Sequence, residues 1–153
     1  MAGFKHSVAK YGENGIKVPS KKEGGIAKFR KLYPSTLVFD SKSEFDTYLN
    51  LKQLQKEKKI SNLQIQVPFL LISARKWYNN VKDKMETVRK TEYICDFVFE
   101  REGKKVALDA KGWAKRKDKK TGKVTWKAYT DDVYKLKKKL FLQLYSEYIF
   151  EEA

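Results

Sequence analysis

The stretch from Tyr93 to Lys111 limits what this chain can become more than any other. Tyr93-Ile94-Cys95-Asp96-Phe97-Val98-Phe99 and Lys105-Val106-Ala107-Leu108-Asp109-Ala110-Lys111 are apolar, β-branched and aromatic runs. They meet at Glu102-Gly103, a pair that tolerates positive φ, so the pattern predicts a β-hairpin. With that loop Arg101 faces Lys104, and counting outward sets Asp96 opposite Asp109. Facing side chains have Cβ atoms roughly 4.5–5.5 Å apart, and like charges there repel. Two carboxylates on apolar strands are therefore costly unless a cation sits between them. Lys111 lies two positions beyond Asp109, and a period of two puts it on the same face. Two acids and a lysine on one sheet surface point to a metal-dependent hydrolytic site.

A chain of 153 residues with 41% hydrophobic content is long enough to bury one real core. Its 34 Lys and Arg against 19 Asp and Glu leave a net charge of +15. That excess favours a polyanion, nucleic acid first, because cations that contact phosphates release counterions. A membrane surface is the second candidate, although no run approaches the ~20 apolar residues of a spanning helix. The N-terminal Met1-Ala2-Gly3-Phe4-Lys5-His6 lacks an apolar signal-peptide core. A single cysteine, Cys95, cannot form an intramolecular disulfide and fits a reducing cytosol. It alternates with Asp96 and reads as a small core residue rather than a nucleophile.

Lysines and glycines dominate residues 1–35, which read as a basic, loosely ordered arm. A helix is predicted from Asp40 or Ser41 to about Lys59, with Phe45, Tyr48, Leu49, Leu51 and Leu54 on its inner face. Glu44 falls inside that arc. It either closes a capping box with Ser41 or turns toward the sheet. Leu63-Gln64-Ile65-Gln66-Val67 alternates as a strand, with Pro68 limiting it or marking a bulge or edge. Residues 73–90 read as a loop or a ragged strand extension. Trp113, Lys115, Arg116, Lys117, Lys119, Lys120, Lys123, Trp126, Lys127 and Tyr129 form a basic, aromatic-studded segment with a second hairpin at Thr121-Gly122. Its mixture suits nucleic acid better than bare solvent does. Thr130-Asp131-Asp132 caps a helix to about Tyr145 whose inner face holds Val133, Leu136, Lys137, Leu140, Phe141 and Leu144. Lys135, Lys138 and Lys139 look outward, and Tyr148-Ile149-Phe150 reads as a last strand. The order is α-β-β-β-α-β, an α/β fold with a mixed sheet flanked by helices.

Phosphodiester hydrolysis needs an activated water and relief of charge on the scissile phosphate, both of which a divalent cation supplies. Magnesium takes oxygen ligands and keeps several waters, so Asp96, Asp109 and the Ala110 carbonyl suffice. Lys111 is then placed to orient the water or to stabilise transition-state charge, and Glu44 is a further candidate ligand. The bland alternative is a salt-bridged hairpin surface neutralised by Lys111 and Lys105. His6 is the only histidine, so a zinc site or a histidine triad lacks parts.

The ordered set of Glu44 on the first helix, Asp96 on a strand and Asp109-Ala110-Lys111 on the next resembles the PD-(D/E)XK, or restriction-endonuclease-like, nuclease superfamily. Five blocks carry the finer resemblance: Phe39 to Glu44, Leu63 to Gln66, Tyr93 to Phe97, Asp109 to Gly112, and Tyr134 to Phe141. They are similar to a small bacteriophage and prophage family akin to Holliday-junction resolvases. The resemblance covers roughly Val38 to Phe150 and makes residues 36–153 the nuclease-like domain. It implies magnesium- or manganese-dependent cleavage of DNA, with branched or junction DNA as substrate. Asp96 and Asp109 would be metal ligands, Lys111 the catalytic lysine and Glu44 the first-helix acid. Gln66 and Lys137 match polar positions near such sites. A phage-encoded enzyme in the bacterial cytoplasm follows, as does a homodimer by analogy with symmetric cutting. Asp109 stands where Glu is commoner. The competing functions are a non-catalytic nucleic-acid-binding protein on the same fold and a phage protein that binds an acidic partner.

Overall fold

A computed structural model describes residues 9–111, 113–128 and 130–153, giving the backbone alone for 113–116 and 126–128. The chain divides into two compact units, Met1–Gln53 and Leu54–Ala153. Among the described residues it is mixed α/β, with three α-helices and a mixed multi-strand sheet. Among the described residues no helix is long and apolar enough to cross a membrane.

In the first unit, strand β1 (Tyr11–Gly12) pairs antiparallel with β2 (Val38–Phe39). A 3-10 turn (Lys21–Glu23) and helix α1 (Gly25–Leu32) lie between them in sequence. Helix α2 (Lys42–Lys56) follows and ends inside the second unit. Residues 9–35 are thus not the loosely ordered arm that their composition predicts. Val18, Phe29 and Val38 form a small core, and Phe39, Phe45 and Tyr48 stack beside one another. Few but well-spaced apolar residues are enough here, because Tyr11 closes on Phe39 and Phe45, distant in sequence. On α2, Tyr48 and Leu51 are buried as predicted, whereas Leu49 is exposed.

The second unit is built on a four-stranded sheet ordered β10-β7-β6-β3. Its strands are β3 (Ser61–Ile72), β6 (Thr91–Arg101), β7 (Lys104–Asp109) and β10 (Ile149–Glu152). β3, β6 and β7 run antiparallel, and β10 joins β7 in parallel. Two separate ribbons interrupt this order: β4 (Arg75–Asn79) with β5 (Lys84–Val88), and β8 (Trp113–Lys117) with β9 (Val124–Ala128). The predicted turn at Glu102-Gly103 is present, with φ of 52° and 72°. Arg101 pairs with Lys104 and Phe97 with Leu108, the predicted register. Pro68 is accommodated because β3 is an edge strand of this sheet.

Helix α3 (Asp132–Leu144) is capped by Asp131, whose side chain accepts the Tyr134 N–H at 2.7 Å. It packs on β3 and β6 through Phe141, which meets Phe69, Tyr93 and Phe150 in edge and tilted ring contacts. The inner face of α3 differs from the apolar wheel. Leu140 and Phe141 take the core side as predicted, but Val133, Leu136 and Leu144 are exposed, and Tyr134 and the cap residue Tyr145 join Phe141 instead. Three aromatics offer more contact area than the leucine row, so the helix seats on them.

One irregularity lies beside the predicted site. Tyr93, Cys95 and Val98 share one core cluster, yet the odd step from Cys95 to Val98 should place them on opposite faces. The faces must exchange near Asp96. Directly across, Gln66 has φ of 53° between the paired Ile65 and Val67. A left-handed residue inside a strand costs roughly 1–2 kcal/mol. The clean alternation of the sequence is thereby broken at one residue.

Candidate active site

Asp109 ends β7 and is 4% exposed. Past it the chain is still held, because the Ala153 N–H donates to the Asp109 carbonyl and the Lys111 N–H to the Ala153 carbonyl. Lys111 therefore keeps its place although its strand has stopped. Its Nζ sits 3.1 Å from Asp109 Oδ1 and 3.7 Å from the centre of the Tyr134 ring. The Tyr93 hydroxyl donates to Asp109 Oδ2 at 2.7 Å, and the Ala110 N–H donates to Asp96 Oδ2 at 2.9 Å. By register Asp96 and Asp109 take facing positions on β6 and at the end of β7. Burial opposes ionisation of Asp109. Hydrogen bonds with Asp96 and Tyr93 and the Lys111 ammonium outweigh it and hold this carboxyl below the usual carboxylate range.

The structure thus brings Asp96, Asp109, Ala110 and Lys111 together. Gln66 falls opposite Asp96 by register. Glu44 belongs to the first unit, where it is buried and serves as a cap: its N–H donates to Ser41 Oγ, and its Oε2 accepts the Asp40 N–H at 3.0 Å. Lys105 lies over the Tyr148 ring instead of neutralising the aspartates. Lys117, Lys119 and Lys120 are exposed in or beside the β8–β9 ribbon. The Trp113, Lys115, Arg116, Trp126 and Lys127 side chains and all of Gly112 and Tyr129 lie outside the described residues.

Four participants escape the sequence pattern. Glu152 of β10 is the cross-strand partner of Asp109. Lys138, predicted to face outward, pairs with Glu152 and lies over Phe150, while Lys137 is half-buried. Tyr93 and Tyr134 complete the group. The Tyr134 hydroxyl is the one buried side-chain polar atom without a hydrogen-bond partner among the described residues. Burial first, then the charges of Asp109 and Glu152 and the close approach of both carboxylates to the hydroxyl, push its ionisation upward. A signal for Glu152 does exist, since it stands two residues after the core residue Phe150.

A family model described as "Protein of unknown function (DUF1064)" matches residues 26–137. The chain belongs to that family. No curated protein and no solved structure matches it. The DUF1064 match begins in α1 and ends in α3, so it takes in Glu44, Asp96, Asp109 and Lys111 and stops before Glu152.

Asp96 and Asp109 are the residues that could hold a small divalent cation. Two adjoining carboxylates repel when both are ionised, and either a shared proton or a cation relieves them. Among the described residues no group of three or more His, Cys, Asp or Glu side chains converges as a ready cage. A pair suffices for an ion that retains water and takes substrate oxygens.

Proposed function

We propose that this DUF1064 chain is a metal-dependent DNA endonuclease, acting on branched or junction DNA, on a restriction-endonuclease-like core. The observation that carries the reading is the pair Asp96 and Asp109 on adjoining strands, with the Lys111 ammonium 3.1 Å from Asp109. The order α2, β3, β6, β7, α3, β10 supports the fold part. Asp96 and Asp109 would hold magnesium or manganese, which when bound polarises the scissile phosphate. Ala110 keeps Asp96 aimed, and Tyr93 keeps Asp109 aimed. Lys111, stacked on Tyr134, presents a positive charge where negative charge grows on the phosphate. Glu44 holds its first-helix role through the resemblance alone. The partner is DNA, with a homodimer inferred from symmetric cutting of two strands.

The test is magnesium-dependent cleavage of labelled linear, flap and four-way DNA by wild type, Asp109→Asn and Lys111→Ala. Both variants should lose at least about a hundredfold in rate while still binding DNA. Equal cutting by Lys111→Ala and wild type would refute the site. Binding without cutting by the wild type would favour the non-catalytic nucleic-acid-binding alternative.

A further inference from the structure

The β4–β5 ribbon, a sheet of its own, lies in register with the β3–β6 pair across Ser73 and Ala74. The β3–β6 pair closes at Ile72↔Thr91, and the β4–β5 pair resumes at Arg75↔Val88 and runs to Asn79↔Lys84. The step from Ile72 to Arg75 equals that from Val88 to Thr91, so the register crosses the gap unchanged. One ribbon therefore extends the two strands by roughly 24 Å beyond Ile72, at about 3.4 Å per residue.

This extension buries little. From Arg75 to Val88 only Asn79 and Glu86 are half-buried, and they bond to each other. Trp77 is 44% and Tyr78 53% exposed. Its acids are already engaged: Asp83 accepts from the Tyr78 hydroxyl, and Glu86 pairs with Lys82. Arg75, Lys76, Lys84 and Arg89 have no ion pair among the described residues. A lone two-stranded ribbon is marginal in water, so one that exposes aromatics and unpaired cations calls for a partner.

The distribution of charge selects that partner. Register puts Arg75, Trp77 and Lys84 on one face and Lys76 and Tyr78 on the other. A flat anionic surface would meet only one of these faces. A groove walled by phosphates meets both, and the major groove, about 12 Å wide, admits a two-stranded ribbon. We propose that the β4–β5 ribbon is an arm that enters a groove of duplex DNA and binds phosphates through Arg75, Lys76, Lys84 and Arg89. Measured along β5 and β6, Arg89 and Lys84 lie roughly 24–41 Å from Asp96, an upper bound at about 3.4 Å per residue. The arm therefore grips DNA up to about one helical turn from the reacting phosphate. The choice of DNA rests on the nuclease reading, so the test measures binding apart from cutting.

The full chain is titrated into fluorescent duplex in EDTA over a range of salt. The quadruple variant Arg75→Ala/Lys76→Ala/Lys84→Ala/Arg89→Ala should bind about tenfold or more weaker. Its slope of log affinity against log salt should be shallower by about 3 to 4. The control Lys21→Ala/Lys22→Ala/Lys28→Ala/Lys31→Ala loses the same net charge and should change the slope by less than about 1. If the quadruple variant is unstable, single Lys84→Glu, exposed at the ribbon end, should still make the slope shallower by about 1, while Lys22→Glu in the N-terminal unit leaves it unchanged. Unchanged binding by the arm variants, an equal loss in the control, or arm-dependent binding to anionic vesicles and not to duplex would each overturn the proposal. If the wild type never cuts yet the arm variants lose affinity, the arm stands and the nuclease reading falls. Asp109-dependent cutting with arm-independent binding would keep the nuclease and overturn the arm.

Discussion

At the scale of single residues, the centre is a buried carboxylate held by neighbours that have little freedom of their own. Asp109 is fixed by Tyr93 and Lys111, and Lys111 by Tyr134 and the backbone of Ala153. Gln66 stores backbone strain directly opposite Asp96, and such strain collects where function requires a fixed geometry. The Tyr134 hydroxyl is a second stored cost. A buried hydroxyl without a partner destabilises by about 1–3 kcal/mol. Tyr134→Phe removes that oxygen and keeps the ring under Lys111. It should leave stability unchanged or raise it by about 1 kcal/mol in urea unfolding, while cleavage falls. Lower stability with full activity would mean that the hydroxyl serves packing and not the site.

At the scale of elements, the hairpin β6–β7 is legible in the sequence because local chemistry and long-range burial agree there. Both strands are apolar, and the turn pair adopts the left-handed backbone that two-residue loops require. Glu102 is the poorer half of that turn, since a left-handed residue other than Gly or Asn carries a steric cost. Glu102→Asn should raise the urea midpoint, a gain of about 0.5–1 kcal/mol, with the m-value unchanged. A fall would show that Glu102 contributes a contact beyond its φ. Other elements are illegible for physical reasons. The β4–β5 ribbon is exposed on both faces, so no alternation marks it. The face of Glu152 follows from its spacing to Phe150, but its parallel pairing with Asp109 spans a long connection, which no local pattern encodes. The seat of α3 departs from its apolar wheel because three aromatics outweigh a longer apolar row.

At the scale of the whole molecule, the compact N-terminal unit and the strong positive charge bear on stability in different ways. Composition hides that unit, since a few long-range pairs such as Tyr11 with Phe45 hold it. A chain with net charge +15 repels itself at neutral pH, and that repulsion fades toward the pI near 9.7. Buried groups act in the other direction. Burial pushes the Cys95 thiol up to about 12 and raises Tyr93 and Tyr134 above the ordinary tyrosine range. Each is protonated in the folded state at pH values where the unfolded chain has released its proton. Their stabilising contribution is complete below the unfolded pKa, about 9 for the thiol, and is lost as pH rises toward the folded one. One such proton is worth about 1.4 kcal/mol per pH unit, so Cys95 alone removes up to about 4 kcal/mol by pH 12. Asp109 acts at the other limit: its lowered pKa stabilises above the ordinary carboxylate range and is lost as pH falls through the folded value. Stability should therefore be flat or rising from pH 7 to about 9 and decline above it. Cys95→Ala should flatten the first part of that decline, between about pH 9 and 10, before the tyrosines contribute. Urea midpoints across this range read the effect directly. An identical decline in the variant would mean that the thiol is not the group that couples alkaline pH to folding.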